Sequence, residues 1–127
     1  NKKISFDLES SDMTELLKNS DFVSLHVPAQ KSYVIGKNEF NLMKTGAGLI
    51  NAARGGVVDE KSLIESLDSG KLAFAGVDTF ENEPKPSVKL LMHPKVSLSP
   101  HIGAATNEAQ DRIGIELANQ IMTLVKE

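Results

Sequence analysis

Residues 48–78 read GLINAARGGVVDEKSLIESLDSGKLAFAGVD, and this stretch decides the fold. GLINAA (48–53) is a short apolar run, and Arg54-Gly55-Gly56 behind it has the punctuation of a turn. Asp59 stands where a helix N-cap belongs, EKSLIESLDS (60–69) follows it, and Gly70 stands where such a helix stops. AFAGVD (73–78) is a second run, too continuous in apolar or small residues to leave one face wet. Strand, helix and strand in that order make the repeating unit of a parallel sheet.

The alternation extends in both directions. KKISF (2–6) predicts a short strand. DMTELLKN (12–19) predicts a helix, with Asp12 and Glu15 spaced as a capping box and Met13, Leu16 and Leu17 as its apolar stripe. DFVSLHV (21–27) predicts a buried strand stopped by Pro28, and a loop through Gly36 leads to a short helix at NEFNLMK (38–44). Beyond AFAGVD, FENEPKPS (80–87) reads as loop and VKLLMH (88–93) as one helical turn before Pro94. VSLS (96–99) reads as the last strand. After PHIGAA (100–105), Thr106 is placed to cap a long helix carrying Ala109, Ile113, Leu117, Ile121 and Leu124 at helical spacing. Repeated β-α units of this kind predict a doubly wound α/β fold, a parallel sheet covered on both faces.

Bulk properties narrow the function. A chain of 127 residues, 40% of them apolar, is enough for one domain with a core. The net charge of −3 leaves no electrostatic footprint for nucleic acid. No apolar run approaches the roughly 20 residues of a membrane span. The absence of cysteine excludes disulfides and thiolate metal sites, no His, Asp and Glu have metal-ligand spacing, and the expected location is the cytoplasm.

Three polar residues carry the chemistry. Arg54, Glu83 and His101 stand at or just past the ends of apolar runs, and open α/β sheets bind ligands along the edge where strands end. Arg54 offers a planar fork for a carboxylate, or else caps a helix or joins a surface ion pair. His101, between Pro100 and Ile102-Gly103, can accept and return a proton near neutral pH, or be a structural histidine. Glu83 before Pro84 can orient that imidazole, or be a solvated charge in a loop that also holds Glu81. Asp78 can accept hydrogen bonds from a ligand amide or cap a turn with Thr79. His26 is expected to pack, and His93 to lie in exposed loop.

NAARGGVVDEKSLIESLDSGKLAFAGVDTFENEP (51–84) followed by SLSPHIGAAT (97–106) resembles the nucleotide-binding domain of the D-isomer-specific 2-hydroxyacid dehydrogenases. The likeness runs from DFVSLHVP to the last helix, and GAATNEAQ (103–110) makes it most similar to D-3-phosphoglycerate dehydrogenases within that family. The resemblance implies a Rossmann domain that binds NAD. It implies that Arg54 holds the substrate carboxylate, that His101 is the acid/base and that Glu83 is its partner. It also implies cofactor contacts at Val27, Pro28, Ala52, Ala53, Arg54 and Asp78, and at His101, Ile102, Gly103 and Ala104.

The expected reaction is hydride transfer between NAD and a D-2-hydroxy acid, with 3-phosphoglycerate favoured. The alternatives are hydroxypyruvate, glycerate or lactate reduction, or a non-catalytic NAD-sensing module. Small 2-hydroxy or 2-keto acids are the expected partners, with a homodimer of the parent protein and neither nucleic acid nor membrane. Set against the family, residues 1–127 correspond to part of the NAD-binding domain. The first two strands, the Gly-rich phosphate loop and the substrate domain have no counterpart, since Gly46-Ala47-Gly48 precedes a strand and lacks the third glycine. KISF would then be the third strand in the order 3-2-1-4-5-6. DFVSLHV would open a half-sheet with an unpaired edge, and the 127 residues alone would have little or no activity.

Overall fold

The structure is a computed structural model and describes residues 9–125. The elements run α1 (Met13–Asn19), β1 (Phe22–Leu25), α2 (Lys37–Leu42), β2 (Ala47–Asn51), α3 (Glu60–Asp68), β3 (Leu72–Val77), α4 (Val88–Leu91), β4 (Val96–Leu98) and α5 (Asn107–Val125). The strand expected at KKISF lies outside the described residues.

The four strands form one parallel sheet in the order β1-β2-β3-β4, the half-sheet that the sequence predicts. Their register aligns the C-terminal ends: Leu25 pairs with Asn51, Asn51 with Val77, and Val77 with Leu98. Every loop that leaves a strand therefore starts from the same edge.

The helices begin where side chains satisfy their first amides. Asp12 Oδ1 accepts from the Glu15 N–H at 2.9 Å, the Asp12 half of the expected capping box. Asp59 accepts from the amides of Lys61 and Ser62 and so starts α3. Thr106 Oγ1 accepts from the Ala109 N–H at 3.2 Å and starts α5. A further cap arises at α2, where Glu39 reaches back to the Gly36 N–H at 2.9 Å. Gly70 ends α3 with φ 77°, a left-handed residue that glycine adopts without penalty.

The core lies on one side of the sheet. Val23, Leu25, Leu49, Ala75 and Val77 meet Leu17, Phe40, Leu63, Leu67 and Leu90 from the helices, all buried. Each such leucine contributes roughly 1.5–3 kcal/mol by leaving water.

The expectation of a sheet covered on both faces is not met among the described residues. Strand parity sends Phe22, Ile50 and Phe74 to the opposite face, where they are 67%, 38% and 38% exposed. The Phe22 and Phe74 rings meet tilted at 47°, 5.9 Å apart, over Gly48, where a Cβ would lie 2.5 Å from the Phe74 ring. AFAGVD thus has a wet face after all. α5 has its predicted apolar stripe, yet Ile113, Leu117, Ile121 and Leu124 are each more than half exposed. Among the described residues no helix is long and apolar enough to cross a membrane.

Candidate active site at the C-terminal edge of the sheet

β2 ends in Asn51, a buried amide that shapes the turn after it. Its Oδ1 accepts from the Ala53 N–H at 3.2 Å and its Nδ2 donates to the Arg54 carbonyl at 3.4 Å. The turn then passes Gly55, where a side chain would collide with the Phe80 carbonyl. Arg54 is exposed, and its Nη1 donates to the Ala53 carbonyl at 2.6 Å.

β3 runs into Asp78, 7% exposed, whose carboxylate gathers the loop after β4. Oδ1 accepts from the Ser99 hydroxyl at 2.6 Å and the Ile102 N–H at 3.0 Å, and Oδ2 accepts from the Gly103 N–H at 3.0 Å. Burial pushes this carboxyl up, but the Ser99, Ile102 and Gly103 bonds and the nearby His101 outweigh it. The net effect holds Asp78 below the ordinary aspartate range. Asp78 is thus the anchor of PHIG as well as a residue of the ligand edge.

Glu83 and His101 meet at the mouth of this edge. Glu83 Oε2 lies 2.8 Å from His101 Nδ1, and Glu83 Oε1 accepts from the Phe80 N–H at 2.9 Å. The Phe80 amide first, and the His101 ring second, hold the Glu83 carboxyl below the usual range. A carboxylate only accepts, so Nδ1 carries the proton and Nε2 is the ring atom left for chemistry. The ring sits on strained backbone, since His101 has φ 55°. Such strain clusters where function needs a particular side-chain aim. Phe80, Glu83, Pro84, Pro86, Pro100 and His101 line a cavity of about 280 Å³.

Of the residues singled out in the sequence, the structure brings Glu83, His101 and Asp78 with its Ile102 and Gly103 partners into one corner. Ala52 lines a neighbouring cleft of about 210 Å³ with Asn51, Asp78, Leu98 and Ser99. Ala53 is buried under the turn, Val27 packs against the core edge, and Pro28 and Ala104 use their carbonyls on Gln30 and Gln110. Arg54 lines neither cavity, because its guanidinium folds back onto its own turn.

Two histidines depart from expectation. His26 is exposed rather than packed, its Nε2 2.8 Å from the Ser24 hydroxyl. His93 is not an open loop residue: its side chain is 6% exposed, bonded to Asp68 at 3.2 Å and to the Lys95 N–H at 3.2 Å. Sequence reasoning missed Asn51 and Ser99, whose only signal was a polar residue at a strand end. It also missed Glu60 and Glu81, each of which accepts the other's backbone N–H at 2.8 Å.

The cleft fits the nicotinamide end of a dinucleotide. Asp78 uses three acceptor positions internally, and a carboxylate has about four, so one remains for an amide donor. The cleft also adjoins the strand ends where such ligands lie in open sheets.

A family profile described as D-isomer specific 2-hydroxyacid dehydrogenase, NAD binding domain, matches residues 1–103. A hydroxypyruvate reductase of Thermotoga maritima is 46% identical over 119 residues, which cover 90% of this chain and 39% of that protein. A D-3-phosphoglycerate dehydrogenase of Methanocaldococcus jannaschii is 43% identical over 117 residues, covering 91% of this chain and 22% of that protein. The crystal structure of a glyoxylate reductase from Paecilomyes thermophila superposes with a TM-score of 0.77 at 37% identity, covering 92% of this chain and 36% of that one. The chain thus spans about two fifths or less of the length of each. With the profile matching most of its length, this chain belongs to the D-isomer-specific 2-hydroxyacid dehydrogenase family, and the domain that it matches binds NAD.

Proposed function

We propose that residues 1–127 supply the acid–base edge of an NAD-dependent oxidoreductase that interconverts a D-2-hydroxy acid and its 2-keto acid. They do so as part of an NAD-binding domain, and the substrate domain and phosphate loop belong to the rest of the parent polypeptide. The observation that carries this reading is the 2.8 Å contact between Glu83 Oε2 and His101 Nδ1. When bound, NAD supplies the acceptor for the hydride that leaves the hydroxyl-bearing carbon.

The chain's own groups handle the proton. Glu83, held by the Phe80 amide, fixes the His101 tautomer so that Nε2 takes the substrate hydroxyl proton as the C–O bond becomes C=O. The imidazolium that results is stabilised by the same carboxylate. In the reverse direction Nε2 returns that proton to the keto oxygen. Arg54 clamps the substrate carboxylate once its guanidinium leaves the Ala53 carbonyl and turns toward the His101 cavity.

Among substrates, the GAATNEAQ likeness supports 3-phosphoglycerate. Hydroxypyruvate and glyoxylate stand beside it, because relatives named for reducing them are as similar as the phosphoglycerate dehydrogenases. The test is NAD reduction by the parent polypeptide across a panel of D-2-hydroxy acids, with His101→Ala beside it. Turnover should fall at least about tenfold in the variant, a general base being worth ~10²–10⁴, while NAD affinity stays put. Equal turnover in the two proteins overturns the assignment. Tight NAD binding with no turnover on any acid favours a non-catalytic NAD sensor.

A further inference from the structure

Two acidic residues next to the site are unused by the mechanism and oddly arranged. Glu60 opens α3 and Glu81 lies in the loop after β3, between Phe80 and Glu83. Glu60 Oε1 accepts from the Glu81 N–H at 2.8 Å, while Glu81 Oε1 accepts from the Glu60 N–H at 2.8 Å. Each carboxylate thus holds the other residue's backbone.

Capping of α3 alone needs only half of this. Asp59 already satisfies the amides of Lys61 and Ser62, and Glu81 adds an oxygen for the Glu60 N–H. The other half, Glu60 to the Glu81 amide, does nothing for the helix and orders the loop. That loop carries the Phe80 N–H that grips Glu83, and its far side rests on the backbone of Gly55. α3 is a firm anchor for it, since Leu63, Ile64 and Leu67 are buried.

We propose that Glu60 and Glu81 are positioning residues: their crossed carboxylate–amide pair fixes the Phe80–Glu83 loop on α3 so that Glu83 meets His101 in register. The proposal rests on the acid–base reading of that dyad. The arrangement has a cost that supports a function. Burial, and the neighbouring Glu81 charge, raise the Glu60 carboxyl despite the bond from the Glu81 amide, and Glu81 also raises the Tyr33 hydroxyl. Two acids are kept close together where two neutral acceptors would be cheaper electrostatically.

Length of side chain and charge can be separated at position 60. Glu60→Gln keeps an oxygen at the same reach and loses the charge. Glu60→Asp keeps the charge and a favourable helix start, but is one methylene too short for the Glu81 amide. The readout is the protonation midpoint of the Glu83 carboxyl, followed by carbon-detected NMR on the 127-residue chain without substrate. His101 and Asp78 are the titratable groups that face it.

Glu60→Asp should shift the Glu83 midpoint up toward the ordinary carboxylate range, and Glu60→Gln should leave it low. In the parent enzyme, turnover should fall about tenfold in Glu60→Asp, the effect of a base out of alignment, and return in Glu60→Gln. The opposite order, equal shifts in both variants, or no shift in either overturns the proposal. The midpoint is an equilibrium property of Glu83, so an inactive parent would sink the functional reading without touching this result.

Discussion

A methyl carbon placed on Gly55 would lie 1.9 Å from the Phe80 carbonyl oxygen, so the RGG turn and the loop after β3 touch backbone to backbone. The obstacle is contact rather than conformation, because Gly55 is not among the glycines with positive φ. Backbone atoms cannot swing aside as a flexible side chain can. Gly55→Ala should cost about 1–3 kcal/mol by overpacking, and should displace the loop that carries Glu83. Chemical denaturation measures the first effect, and loss of the low Glu83 midpoint the second.

Asp78→Ala should be more damaging than its place at a strand end suggests. Three internal donors lose a charged acceptor, and the expected loss is about 2–4 kcal/mol. The pH dependence has a definite sign. The folded carboxyl is held below the ordinary range, so its contribution is present above the unfolded value and disappears as pH falls through the folded one. Melting curves of wild type and variant should therefore converge in acid. A constant gap down to strongly acidic pH would contradict this.

Leu67 and Leu117 offer a matched pair. Leu67 is fully buried under the sheet and Leu117 is 55% exposed on α5. Leu67→Ala should lose about 2–5 kcal/mol, whereas Leu117→Ala on the 127-residue chain should stay within about 0.5 kcal/mol. Urea midpoints compared at equal slope decide the matter.

Much of this architecture was legible in the chain. Asp59 and Gly70 bracket α3 by local chemistry alone, and apolar runs around them locate β2 and β3. Residues that pair only in three dimensions were less readable. Glu60 and Glu81 sit 21 positions apart in acidic surroundings that read as solvated, and nothing local announces that each grips the other's amide. His93 looked exposed beside a proline, yet its ring is held by Asp68 from 25 positions away as well as by the local Lys95 amide. The aim of Arg54 was hidden for a related reason, since a long side chain can serve its own turn as readily as a ligand. Periodicity also misjudged the second sheet face. An apolar pattern states what a strand could bury, and among the described residues Phe22 and Phe74 stay largely open on that face, packed side by side.

The left-handed backbone at His101 sets folding against the role proposed for its ring. Any residue other than glycine held in that region gives up roughly 1–2 kcal/mol, and an exposed pair with Glu83 restores little of it. A glycine at this position would relax the PHIG loop and remove the ring proposed to carry the proton in one change. Under the proposed mechanism, a tougher protein and a working one therefore ask for different residues at the same place.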